Sequence, residues 1–192
     1  MSARLRLIIC SRSASAAKVI ANDNCFQVCF TDPNQGTASA DYIASKGLAT
    51  KVAVIYNSSD AYSSGIYDNF KAEAAAKGLD LVASEAFTGD SKQDFSSQLS
   101  KIKASGAELI FLPIYYQEAS LILSQAKNAG ITAKFFGCDG LDGLLNIENF
   151  DKSLAENVML LTPFAANATD ETTKKFVAAY NAKYDPSTLN QF

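Results

Sequence analysis

Along this chain, short apolar runs alternate with longer amphipathic stretches from one end to the other. Five runs read as strands: residues 51–56 ("KVAVIY"), 80–86, 108–112 ("ELIFL"), 134–136 and 158–162. β-branched and aromatic residues crowd them, and turn formers bound them. Between them the apolar positions recur at helical spacing, predicting helices over 64–77, 95–105, 118–129 and 170–184. Asp94 is the expected N-cap of the second, with Phe95, Leu99 and Ile102 on one face. Further upstream, "RLRLII" is a short apolar run, "SASAAKVIAND" a short helix candidate and "CFQVCF" a strand. "TDPNQGTASADYIASKG" predicts a helix with Asp32 as N-cap, Pro33 at its first position and Gly47 at its end. Strand–helix units of this length imply an α/β fold, a three-layer sandwich whose parallel sheet carries helices on both faces. The flavodoxin-like order 2-1-3-4-5 is the most economical. The first fifty residues supply elements that do not fit this sheet.

Composition narrows the chemistry. The chain has 192 residues, of which 48% are hydrophobic, enough for a sizeable core. A net charge of −3 with mixed signs gives no footprint for nucleic acid. The chain has no histidine, which removes Ser-His and Cys-His catalysis and histidine-containing zinc sites. Cys10, Cys25, Cys29 and Cys138 have no metal-binding spacing. Cys25 and Cys29 sit about 13 Å apart along one strand, too far for a disulfide, so buried free thiols are expected. No run reaches the about 18–20 apolar residues of a membrane span. The apolar run Leu7–Ile9 is far shorter than the about 7–15 residues of a signal core, so the opening segment reads as a strand with no recognisable signal peptide.

In an open parallel sheet the ligand lies beyond the carboxyl ends of the strands, where the strand order reverses. Here that point falls between strands 51–56 and 108–112. The loops to read are therefore "NSSDAYSSG", "PIYYQE" and "GCDGLDG", with Tyr62, Tyr115, Tyr116, Asp139 and Asp142. Tyrosine offers a flat apolar face and one hydroxyl, and aspartate suits an ammonium group. The alternative is that the tyrosines cap the sheet edge and Asp139 makes a turn with Gly140. No phosphate loop "GxxxxGK[ST]" or dinucleotide "GxGxxG" is present, and no enzyme chemistry, cofactor or metal is expected. A flavodoxin remains an alternative, because "NSSDAYSSG" is hydroxyl-rich like a flavin phosphate loop.

Residues 51–140 resemble the branched-chain amino-acid binding proteins, the type I substrate-binding proteins of ABC transporters. The marks are "DAYSSG", "GDSKQDFSSQL", "YYQEA", "QAKNAGI" and "FFGCDG", with "FQVCFTDPNQGTASADYI" matching the segment that crosses between lobes. The resemblance implies two α/β lobes that close on an amino acid. Residues 1–48 would be a remnant of lobe one with the crossing segment, and 49–192 the second lobe, so the chain resembles a family member truncated mainly to its second lobe. Carried over by motif, Tyr62 and Tyr115 pack over the ligand and Asp139 meets its ammonium. Ser13 and Ser15 of "CSRSAS" hold its carboxylate, although Arg12 stands where the family pattern has proline. The implied partners are a small amino acid and a transporter permease, and the implied location is periplasmic or extracellular. A ligand-sensing domain of a receptor or transcription regulator is the alternative with the same fold. Apolar groups at Leu7, Ile9, Val28 and Phe30 would lack cover, which favours self-association.

Overall fold

The computed structural model describes residues 8–11 and 14–189. They fall into two compact units, Met1–Leu161 and Thr162–Phe192. The first holds a sheet of five parallel strands: β3 (Lys51–Asn57), β4 (Asp80–Phe87), β5 (Leu109–Leu112), β6 (Lys134–Gly137) and β7 (Val158–Leu160). Their spatial order is β4-β3-β5-β6-β7, the expected 2-1-3-4-5. Preceding them, β1 (Ile9–Ser11) and β2 (Cys25–Gln27) form a separate two-stranded parallel sheet. The α-helices of this unit are α1 (Asp32–Ser45), α2 (Ala61–Ala76), α3 (Ser96–Ser105) and α4 (Tyr116–Asn128).

The period of two in the central strands builds two cores. Val52, Val54, Leu109, Phe111 and Phe136 point to one face, against Ile43 of α1 and Ile66 and Phe70 of α2. Ala53, Ile55, Ile110, Leu112 and Phe135 point to the other, against Leu99 and Ile102 of α3 and Ile122 of α4. The rings of Phe70 and Phe111 stack at 4.0 Å across the first interface. The close approach of α1 to α2 depends on Gly36, where a Cβ would collide with the backbone of Ile66 and Phe70.

The helices differ from expectation at their starts. Thr31, not Asp32, is the N-cap of α1: the helix begins at Asp32, so Pro33 stands second in it rather than first. Helix α2 begins at Ala61 rather than 64, since the Asp60 side chain accepts from the Ser63 N–H at 2.9 Å and caps it. This draws Tyr62 out of the expected loop and into the first turn. Helix α4 starts two residues early, at Tyr116. Asp94 does accept from the Ser96 N–H at 2.9 Å, while Phe95 is the helix N-cap. Strand β2 ends at Gln27 instead of running to residue 30, because its partner among the described residues, β1, is three residues long. The thiols are free as expected, but only Cys138 is buried; Cys10 is exposed, and Cys25 and Cys29 are half-buried. Ile9 and Val28 are exposed, whereas Leu7 lies outside the described residues.

In the second unit, α5 (Glu171–Asn181) is capped by Asp170, which accepts from the Thr173 N–H at 2.9 Å. Phe176 meets Phe164 edge-on at 5.7 Å and Tyr180 at 6.2 Å.

Candidate ligand-binding site

The carboxyl ends of β3, β5 and β6 deliver three loops to one place. The loop after β3 is fixed by its own serines. Ser63 accepts from the Asn57 N–H at 2.8 Å, Ser58 donates to the Phe87 carbonyl at 3.1 Å, and Ser59 accepts from the Gly89 N–H at 3.0 Å while donating to Asn57 Oδ1 at 2.8 Å. Ser64 donates to the Asp60 carbonyl at 2.7 Å. The hydroxyls that suggested a phosphate loop therefore hold the loop to α2 and β4, which removes the feature that favoured a flavodoxin.

With α2 starting at Ala61, the Tyr62 side chain reaches across to the loop after β6. Its hydroxyl donates to Asp139 Oδ1 at 2.6 Å and accepts from the Gly140 N–H at 2.9 Å. Its ring stacks on Tyr115 at 4.8 Å and 21°. Tyr62 is buried, 7% exposed, while Tyr115 keeps 45% of its surface open. Burial, the nearby Cys138 and Asp139 push the Tyr62 phenol far above its usual pKa. Tyr115 is pushed up to about 12, by partial burial first and then by Asp60, Asp32 and Asp139. Both are neutral donors at physiological pH. Gly140 makes the cluster possible: a Cβ there would lie 2.7 Å from the Ile114 carbonyl oxygen, 2.8 Å from the Tyr62 hydroxyl and 3.2 Å from Tyr115 Cδ1.

Asp139 opens a single 3-10 turn through Leu141, with the Asp142 N–H bonded to its carbonyl at 2.9 Å. Asp139 thus both opens this turn and accepts the Tyr62 hydrogen bond. Its own N–H donates to Gln35 Oε1 at 3.2 Å, which joins α1 to the site. The second tyrosine of the pair, Tyr116, turns away and packs against the core beside α3 and α4. Asp142 bonds the adjacent Gly143 N–H at 3.0 Å and takes no part.

So Tyr62, Tyr115 and Asp139 come together at the expected edge. Ser15 lies beside α1, its carbonyl accepting from the Asp32 N–H at 3.0 Å. Ser13 lies outside the described residues. The sequence reading missed Asp32 and Gln35, both fully buried behind the cluster. It had assigned Asp32 only a capping role, and buried polar residues in a first helical turn leave no mark in hydrophobic periodicity. The signal that could have found them is "DPNQG" itself, two polar side chains one helical turn apart on the α1 face that packs inward.

A doubly wound parallel sheet with aromatic and acidic side chains gathered at its switch point is the scaffold of a small-molecule binding domain. The model of the periplasmic binding protein family matches residues 4–192, and the chain belongs to that family. An amino acid binding protein of Pseudomonas aeruginosa is 36% identical over 116 residues, covering 60% of this chain and 30% of that protein. The leucine-, isoleucine-, valine-, threonine- and alanine-binding protein of the same organism is 29% identical over 163 residues, 84% of this chain and 43% of that protein. Among solved structures, the leucine-binding protein LivK of Thermotoga maritima superimposes with a TM-score of 0.81 at 28% identity, over 93% of this chain and 51% of that one. LivJ of Streptococcus pneumoniae, in complex with isoleucine, gives 0.80 at 28% identity, over 94% and 51%. The fold is that of the type I branched-chain amino-acid binding proteins, and this chain spans about half the length of those structures. Among the described residues, no helix is long and apolar enough to cross a membrane.

Proposed function

We propose that the chain supplies the ammonium-holding side of an amino-acid binding cleft, as part of a periplasmic or cell-surface substrate-binding protein that serves an ABC transporter permease. The ligand is a branched-chain or related small aliphatic amino acid. The reading rests on one observation above the rest: the Asp139 carboxylate is held by the buried Tyr62 hydroxyl directly beside the half-open ring of Tyr115. In this reading Asp139 takes the α-ammonium, Tyr115 covers the aliphatic side chain, and Tyr62 orients Asp139 rather than lying against the ligand. Ser13 and Ser15 take the carboxylate. The protein acts by binding and not by catalysis.

The described cluster covers a ligand on one side only. Half of a micromolar interaction, about −8 kcal/mol, corresponds to a dissociation constant on the order of millimolar. Titration of leucine, isoleucine and valine into the 192-residue chain, followed by NMR, should move the Asp139 carboxyl and Tyr115 ring signals with affinities of that order. Asp139→Asn should weaken binding roughly tenfold to a hundredfold, the usual contribution of a hydrogen bond to a charged group. Silence at both residues with ligand in the tens of millimolar would refute the reading.

A further inference from the structure

Strand β7 closes one side of the main sheet, and its outer edge is open. Hydrogen-bonding groups alternate in direction along a strand. The Asn157 carbonyl accepts from the Phe135 N–H at 3.4 Å, and the Leu161 N–H donates to the Gly137 carbonyl at 2.9 Å, both toward β6. Between them Met159 stands opposite Phe136 of β6. The N–H and C=O groups of Val158 and Leu160 therefore point the other way. On that side β7 has no neighbour, since it ends the order β4-β3-β5-β6-β7, and these groups have no backbone partner among the described residues. An open row of this kind is a template for another strand.

A pocket of about 260 Å³ lies beside this edge. Its apolar lining comes from Leu141, Leu144, Leu145, Ala155, Val158 and Leu160. Leu145 is 52% exposed and Leu160 39%, so its rim is open to solvent. The volume falls below the about 300–1,000 Å³ of a small-molecule cleft and suits a side chain rather than a whole ligand. Tyr62, Tyr115 and Asp139 do not line it. The charge at the pocket is acidic. Asp142 lines it and no basic residue does, while the exposed Glu156 stands just ahead of the β7 ladder. Lys152, the basic residue nearest to β7 in the chain, lies outside the lining, and Lys127 is paired with Asp151 at 3.1 Å.

We propose that the outer edge of β7 is a docking site for an extended, basic segment of a partner polypeptide, which adds a strand to the sheet and seats an aliphatic side chain in the pocket. The backbone groups of Val158 and Leu160 supply the main-chain bonds, the pocket selects the side chain, and Asp142 with Glu156 favours lysine or arginine on its flanks. Charge is also what sets a second copy aside as the occupant. Two β7 edges meeting about a two-fold axis would bring Asp142 and Glu156 of both copies to one interface. The proposal is independent of the roles assigned to Tyr115 and Asp139.

The test uses the 192-residue chain and two fluorescein-labelled peptides, KTVLVTK and its acidic counterpart ETVLVTE, titrated by fluorescence anisotropy. The basic peptide should bind about tenfold more tightly at low salt, with the difference shrinking as salt rises. Binding should slow amide hydrogen exchange at Val158 and Leu160. Methylating alternate peptide nitrogens in one register should abolish binding, and in the other register should spare it, a readout that leaves the protein unaltered. Leu145→Ser, at the exposed rim, should weaken binding about tenfold, and Asp142→Asn should reduce the preference for the basic peptide. Failure of both peptides to bind at millimolar concentration would overturn the proposal, as would equal affinity for the two or binding that protects neither Val158 nor Leu160. A dimer in sedimentation velocity that Leu145→Ser dissolves would assign the edge to a second copy and likewise overturn it.

Discussion

Replacing Tyr62 with phenylalanine isolates the hydroxyl on which the cluster depends. The ring would stay stacked on Tyr115, so the change removes one oxygen and little else. That oxygen donates to Asp139 and accepts from the Gly140 N–H. A hydrogen bond to a charged group contributes about 1.5–3 kcal/mol, and a buried N–H left without an acceptor costs about 1–3 kcal/mol. The two effects share one atom and are not strictly additive, so Tyr62→Phe should destabilise the protein by about 2–4 kcal/mol. Tyr115→Phe is the internal control. Its ring is half-open and its hydroxyl has no hydrogen bond to the described residues, so the loss should stay within about 0.5 kcal/mol. Urea unfolding followed by far-UV circular dichroism is the assay, because the chain has eight tyrosines and no tryptophan. With a urea slope of about 2 kcal/mol/M, the Tyr62→Phe midpoint should fall by about 1–2 M while that of Tyr115→Phe hardly moves. Coincident midpoints for the two variants would show that the Tyr62 hydroxyl contributes nothing and that Asp139 is held by its turn alone.

Gly140→Ala should lower stability by about 1–3 kcal/mol through overpacking and change the near-UV dichroism of the tyrosines, since its Cβ meets the Ile114 carbonyl, Tyr62 and Tyr115 together. Gly36→Ala should be more damaging, because there the two nearest obstacles are both backbone atoms, of Ile66 and Phe70, against one backbone atom at Gly140; loss of thermal stability measures it. Glu108 accepts from the Thr50 and Lys51 N–H groups and the Thr50 hydroxyl, which hold its pKa below the ordinary 4.5. Its contribution is present above that value and lost as pH falls through the lowered folded-state pKa, so Glu108→Gln should flatten the acid side of the stability profile. Ile8, Ile9, Phe26 and Val28 expose apolar surface around the small sheet, so light scattering should show concentration-dependent association that Phe26→Ser reduces.

The main sheet was legible because its strands are short, apolar and bounded by turn residues, and each helix between them carries one apolar stripe. Ile110 and Leu112 facing α3 and α4, with Leu109 and Phe111 facing α1 and α2, is the pattern of a strand buried on both sides. Helix starts were harder. The serines of "NSSDAYSSG" have low helix propensity and suggested a loop, yet the Asp60 cap and the bond from the Asn57 N–H to Ser63 overrode that preference. Tyr62 and Tyr115 could be brought together by reasoning from the switch point. That Tyr62 lies beneath Tyr115, bonded to Asp139, could not, because it depends on a hydrogen bond between residues from different loops. Asp32 was misplaced for a related reason: whether a polar residue before proline caps a helix or enters it depends on the tertiary contacts of Ser15 and Gly65.

The bonds that define the cluster join residues far apart in the chain: Tyr62 to Asp139 and Gly140, and Gln35 to Asp139. None can form until β3, β5 and β6 lie side by side, so loop-closure entropy delays them all. The cluster is therefore expected to form after the rate-limiting step of folding. Substitutions at Tyr62 or Gly140 should then leave the refolding rate nearly unchanged and accelerate unfolding. On this expectation the carboxyl edge of the sheet, where Tyr62 meets Asp139, is also the latch that sets how long the native state persists once made.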